Sequence, residues 1–321
     1  MRWRKHGKIF NPVDHNLTNG CISYAQSPQA VVFSDYVRVY FSSRALEDNG
    51  KFLSHVCFVD FEKDMRTIRG VNTDTILPLG ELGAFDEHGI FPISPVRVGK
   101  RIYAYTTGWS RRVSVSVDTG IGLAISDDQG LTFQRQGSGP VLSASLLEPF
   151  LVCDAYVREF NCQFHMWYVF GTAWRRKKPD LPPDRTYKIG HAVSENGVIW
   201  HREECRQIIP DRLGEKESQA LPSVIQIGKR YHMFFGFRES FDFRFVKGRG
   251  YQIDHAWSDD LVNWTRDSYG PKLSGTDGEW DSDMQCYPHV FGYDGRVWLL
   301  YNGNNFGCDG FGLAELTDFE T

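Results

Sequence analysis

An all-β, five-bladed β-propeller, with four-stranded antiparallel blades around a central channel, is the fold this sequence predicts. Three observations predict it. A short third-strand motif recurs five times in step along the chain. A strand rich in aromatic residues precedes each copy, and a further short strand, most often joined by a tight turn, precedes each of those. Short strands at regular spacing with no helical period favour a sandwich, barrel or propeller. A repeat of roughly sixty residues suits a four-stranded propeller blade with decorated loops.

The clearest copy of the third strand is Ile121-Gly122-Leu123-Ala124-Ile125-Ser126. It returns as Ile189-Gly190-His191-Ala192-Val193-Ser194 and as Ile253-Asp254-His255-Ala256-Trp257-Ser258. Residues 311–315 are the last copy and 54–59 a weaker first one. The aromatic strands lie at 37–42, 101–106, 164–170, 231–237 and 297–301. The first strands are read at 30–33, 94–98, 155–159, 223–227 and 289–293. Between first and second strands stand Ser34-Asp35, Gly99-Lys100, Gly228-Lys229 and Asp294-Gly295, all good turn formers. Large rings on these strands are expected to pack blade against blade.

The turn after the third strand also repeats. It reads Ser126-Asp127-Asp128-Gln129-Gly130, then Ser194-Glu195-Asn196-Gly197, then Ser258-Asp259-Asp260-Leu261. Ser, Asp and Asn hold turns through side-chain to backbone bonds, so a structural role is expected.

Composition narrows the function classes. The 321 residues are 41% hydrophobic and 24% charged, an ordinary globular balance. Single all-β domains often exceed the usual size, so one domain over residues 1–321 is expected. The net charge is -4 and no Lys/Arg-rich run occurs, which argues against a nucleic-acid partner. No run approaches eighteen apolar residues, so no membrane span is expected. Residues 1–11 are basic with no apolar stretch after them. That reads as lacking a secretory signal and points to the cytoplasm, although a chain already trimmed of its signal would read the same. Seven cysteines, with no C-x-x-C pair, argue against a disulfide framework or structural zinc. No loop has the ligand spacing of a calcium site, so neither metal nor cofactor is expected.

The segment Ser258 to Trp264, a serine and acidic residues followed by Leu-x-x-Trp, resembles the blade hairpin of five-bladed propeller glycosidases. That superfamily includes arabinanases, β-xylosidases, invertases, levansucrases and β-mannoside phosphorylases. The longer turn at Ser126 resembles the aspartate box of the six-bladed sialidases, but five repeats favour the first group. The resemblance covers nearly the whole chain as architecture and implies three catalytic acids, on the first, third and fourth blades. Asp154-Ala155 matches the third-blade Asp, which orients substrate and tunes pKa. Glu217 is the nearest match to the fourth-blade proton donor, although it stands five positions before Pro222. The first blade departs from the pattern: Ser27-Pro28 stands where the superfamily has Asp-Pro.

Propeller geometry brings the starts of first strands and the ends of second strands to one channel mouth. The residues there supply the candidates: Glu217 as proton donor, Asp154 as orienting acid and Asp86 as base. His88, Glu148, Arg44, Trp109, Trp174, Arg238, Asp283 and Gln285 are candidate substrate contacts. Two carboxyls at suitable separation can cleave a glycosidic bond. Several arginines near one mouth point to an anionic sugar. The expected function is therefore glycoside hydrolase-like cleavage of a bacterial poly- or oligosaccharide, with a carbohydrate as partner. A phosphorylase or transglycosidase relative and a non-catalytic glycan-binding propeller are the alternatives, because Ser27 cannot serve as a carboxylate.

Overall fold

The computed structural model describes residues 1–318. Its strands run in chain order as β1 (Arg2–Phe10), β2 (Cys21–Val32), β3 (Tyr36–Leu46), β4 (Phe52–Glu62) and β5 (Ile68–Val71). Next come β6 (Gly89–Val98), β7 (Arg101–Arg111), β8 (Val117–Ser126), β9 (Gln134–Arg135), β10 (Val152–Phe160), β11 (Gln163–Arg175), β12 (Asp184–Ser194) and β13 (His201–Arg202). The last are β14 (Glu217–Ile227), β15 (Arg230–Glu239), β16 (Gln252–Ser258), β17 (Thr265–Arg266), β18 (Cys286–Tyr293), β19 (Arg296–Asn302) and β20 (Phe311–Thr317).

Among the described residues these strands group into five four-stranded antiparallel units: β2 to β5, β6 to β9, β10 to β13, β14 to β17, and β18 to β20 with β1. One parallel bridge, Ser54 to Gly89, joins the first two. The first strands β2, β6, β10, β14 and β18 touch one another in a closed cycle, so they line a ring and form a propeller. β1 pairs with β20, so the chain's first strand completes the last unit and closes the ring.

Apolar clusters between neighbouring units glue the ring together. Trp167 and Val169 pack with Met233, Phe235 and Trp264 across the third and fourth units. Phe41 packs with Phe10, Leu300 and Phe311 across the first and last. Full burial of each such side chain contributes about 2 kcal/mol. The repeated turns have the role their residues imply. Ser126 Oγ accepts from the Gly130 N–H at 2.7 Å, Ser194 Oγ from Gly197 at 2.9 Å and Ser258 Oγ from Leu261 at 3.0 Å. Two of these turns also dock onto the preceding unit. The Tyr40 hydroxyl donates to the Gly130 carbonyl at 2.7 Å and the Tyr105 hydroxyl to that of Gly197 at 2.8 Å. A Cβ at Gly130 would lie 1.9 Å from the Tyr40 oxygen, so glycine is needed for that close approach.

One feature of the inner strands positions the site. Each of the five slips register against its neighbour at an equivalent place, Gln26/Gln29, Ile90/Ile93, Cys153/Tyr156, Ala220/Ser223 and Cys286/His289, and β2 slips twice more ahead of it. Within four of these slips one residue takes a left-handed backbone: Ser27 (φ 53°), Asp154 (φ 54°), Leu221 (φ 47°) and Tyr287 (φ 57°). The fifth equivalent is Phe91. A residue with a Cβ in that region is strained by about 1–2 kcal/mol. The slip re-aims the side chains that follow, as bulges beside active sites commonly do.

Candidate active site

A cavity of about 840 Å³ opens at the channel mouth, and all five units contribute to its wall. Of the sequence candidates, Asp154, Arg44, Trp109 and Arg238 line it. Asp154 is the one acid in its wall among the described residues, against six cationic side chains: Arg44, Lys51, Arg111, Arg185, Arg238 and Arg244. The aromatic part of the wall includes Phe91, Trp109, Tyr187, Tyr251 and Tyr287.

Asp154 sits on the strained slip of β10, held by its own N–H, which donates to Thr107 Oγ1 at 2.7 Å. Burial pushes its carboxyl up to about 7, against the opposing pull of Arg185, the Cys153 thiol and the Leu221 backbone N–H. A carboxyl kept part-protonated at neutral pH inside a cavity can donate a proton.

The other expected acids stand elsewhere, and the reason is the same for each. Glu217 is fully buried and its oxygens are occupied. Oε1 meets Arg266 Nη1 at 2.6 Å and accepts from Gln219 at 2.9 Å, while Oε2 accepts the Arg212 and Leu213 N–H groups at 2.8 Å. Asp86 is buried against Arg135, at 2.9 Å from Nε and 2.6 Å from Nη2. Glu148 is buried beside Arg202 at 3.1 Å and accepts from the Tyr168 hydroxyl at 2.8 Å. A fourth pair, Asp281 with Lys5 at 2.6 Å, follows the same plan in the last unit. In these four units an acid at or just ahead of the start of the innermost strand clamps a cation on the outermost strand. Glu217, expected as proton donor, Asp86, expected as base, and Glu148, expected as a sugar contact, are thus each paired within their own unit and are not in the cavity wall.

The remaining candidates divide. His88 is half-buried behind the wall and stacks on Trp109, with centroids 6.0 Å apart. Trp174 packs at the edge of the apolar cluster between the third and fourth units, with the Arg185 guanidinium 5.7 Å from its ring. Asp283 and Gln285 line a separate cavity of about 350 Å³ with Arg212, Lys247 and Lys272. These four are not in the wall of the large cavity.

The named candidates leave out Arg185, Tyr187, Arg244 and Tyr251, which also line the cavity. Arg185 and Tyr187 open β12, and Tyr251 immediately precedes β16. The start of a third strand lies on the same face as the end of the second, so this part of each unit reaches the mouth as well. Here the Tyr187 and Tyr251 hydroxyls meet in a short hydrogen bond, and Arg238 Nη2 donates to the Tyr187 oxygen at 2.8 Å.

No family model matches the chain. It is 31% identical over 322 residues to the uncharacterized protein Rv1502 of Mycobacterium tuberculosis, a match covering 98% of this chain and 99% of that one. Among solved structures, a glycoside hydrolase superposes with a TM-score of 0.73 at 18% identity, covering 98% of this chain and 92% of the other. The β-1,2-mannobiose phosphorylase of Listeria innocua, in complex with β-1,2-mannobiose, gives a TM-score of 0.69 at 10% identity, covering 99% and 97%. With identity sustained along nearly its whole length, the chain belongs to the family of the mycobacterial protein Rv1502, and its fold is that of the propeller-type glycosidases.

Proposed function

We propose that this protein is a glycosidase-like enzyme that cleaves a glycosidic bond in a poly- or oligosaccharide, with Asp154 as the proton donor. The observation that carries the reading is the setting of Asp154: one carboxyl, pushed up to about 7, in the wall of a cavity of about 840 Å³ built from aromatic and cationic side chains. The protonated carboxyl gives its proton to the departing glycosidic oxygen as the bond to the anomeric carbon breaks. Aromatic rings such as Trp109 offer flat apolar surfaces for the faces of sugar rings. The fold supports the same reading, because the similar solved structures act on carbohydrate.

A second reading is favoured by one specific observation: the described cavity wall holds no second carboxyl. Hydrolysis by two carboxyls needs a base or nucleophile opposite the acid. Inorganic phosphate attacks the anomeric carbon without such a base, which would make the enzyme a phosphorylase. The test is incubation with a panel of bacterial oligosaccharides, with and without phosphate. Free reducing sugar in both arms supports hydrolysis. Sugar 1-phosphate formed only in the phosphate arm supports phosphorolysis. No cleavage in either arm, with sugar still bound, would leave a glycan-binding propeller and sink the enzymatic reading. Where turnover occurs, its rate should fall as pH rises through about 7, since Asp154 acts in its protonated form.

A further inference from the structure

Arginines in proteins stay charged, and a buried guanidinium without a counter-charge is destabilising. Of the five arginines in the cavity wall, Arg111 and Arg244 meet a carboxylate, whereas Arg44, Arg185 and Arg238 have none within 4.0 Å among the described residues. Arg238 is the extreme case. It is 1% exposed, and its Nε lacks any hydrogen-bond partner. Nη1 donates to the Glu239 carbonyl at 2.7 Å and Nη2 to the Tyr187 hydroxyl at 2.8 Å. Its Cζ lies 3.5 Å from the centroid of the Phe243 ring.

Arg244 approaches the same ring, with its Cζ 4.2 Å from the centroid. Burial, then the positive fields of Arg185 and Arg238, push Arg244 below its usual range. The shift reflects burial first and, after it, the like charges of Arg185 and Arg238. Arg244 has one acid, Asp184, at 3.6 Å, and both groups are partly exposed. Arg185 also reaches the Ser116 hydroxyl at 3.2 Å and acts electrostatically on Asp154. The three arginines thus occupy one side of the cavity, with Arg185 linking them to the proton donor.

We propose that Arg185, Arg238 and Arg244 form an oxyanion subsite that holds a carboxylate or phosphate group carried by the sugar beside the scissile bond. The proposal deepens the cleavage reading and rests on it only for the position of that bond. A planar guanidinium presents paired N–H donors that match carboxylate and phosphate oxygens. Bound there, the anion would supply the counter-charge that the protein leaves out. A neutral sugar would leave three guanidinium groups repelling one another, so the subsite selects against it. The same donors could also take free phosphate, and the test separates these two sources.

The test is equilibrium binding by calorimetry to the full chain. The probes are glucuronate, galacturonate, N-acetylneuraminate and a hexose 6-phosphate, each beside a neutral counterpart, and inorganic phosphate alone. At least one sugar anion is expected to bind tenfold or more tighter than its neutral counterpart. That preference should weaken with added salt and fall at least tenfold in Arg185→Gln and Arg244→Gln. These two residues are less buried than Arg238, and their folding can be checked by the melting transition. Equal binding of anionic and neutral sugars would overturn the proposal. So would binding of inorganic phosphate with no preference among the sugars, which would give the arginines to a free phosphate. Binding needs no turnover, so a failure here is distinct from a failure to cleave.

Discussion

Asp154 carries two opposed demands. Its backbone is left-handed and its carboxyl lies in a cavity wall where burial disfavours the charge. Both cost stability, and strain of this kind collects at functional sites. The sign of the pH effect follows from the shift. The unfolded carboxyl ionises near its ordinary value of 3.8 and the folded one at about 7. Its contribution is fully present below pH 3.8 and is lost as pH rises through about 7, at about 1.4 kcal/mol for each pH unit of the gap. Asp154→Asn should therefore match the wild type in stability near pH 4 and exceed it above pH 7. Chemical unfolding at both pH values checks this. A difference that does not grow with pH would mean that the carboxyl is not held up by burial.

At the scale of the elements, the paired acids behave in the opposite way. Glu217 joins β14 to β17 through Arg266, and removing one member of a buried pair leaves the other charge uncompensated. Glu217→Gln is expected to lower the unfolding free energy by about 3 kcal/mol. Urea titration measures it, and an unchanged midpoint would show that the clamp contributes nothing. The strands themselves were legible in the sequence, because aromatic residues mark every unit and the repeated Ser-centred turns mark three of them, independently of what the loops do. The orientation of the acids was not. Glu217 and Asp154 both precede an aromatic strand and differ in sequence only by a few positions. Both inner strands carry the same one-residue slip: Asp154 lies within it in β10, whereas Leu221 holds that position in β14 and Glu217 stands four residues earlier. A shift of one residue exchanges the two faces of a strand. The outer-strand cations Arg135, Arg202 and Arg266, each shortly after a repeated turn, were the available sign that the acids were already engaged.

At the scale of the whole molecule, ring closure decides whether the cavity exists at all. β1 covers the edge of β20 and brings Lys5 to Asp281, so the first ten residues complete the last unit. Deleting residues 1–10 would expose the β20 edge and the apolar contacts of Phe10, inviting association. The shortened chain is expected to melt earlier and to elute as oligomers in size-exclusion chromatography, whereas unchanged melting and elution would mean that closure lies elsewhere. The ring also gives the cavity its charge. A chain of net charge -4 gathers six cations around one acid at its mouth, a field that attracts anions against the overall charge. The most direct test of the account compares cleavage of a substrate identified from the oligosaccharide panel by the wild type, Asp154→Asn and Glu217→Gln, each normalised to the folded fraction. The account predicts that Asp154→Asn loses at least a hundredfold in kcat while Glu217→Gln retains wild-type turnover per folded molecule. Retained turnover in Asp154→Asn, with loss in folded Glu217→Gln, would contradict it.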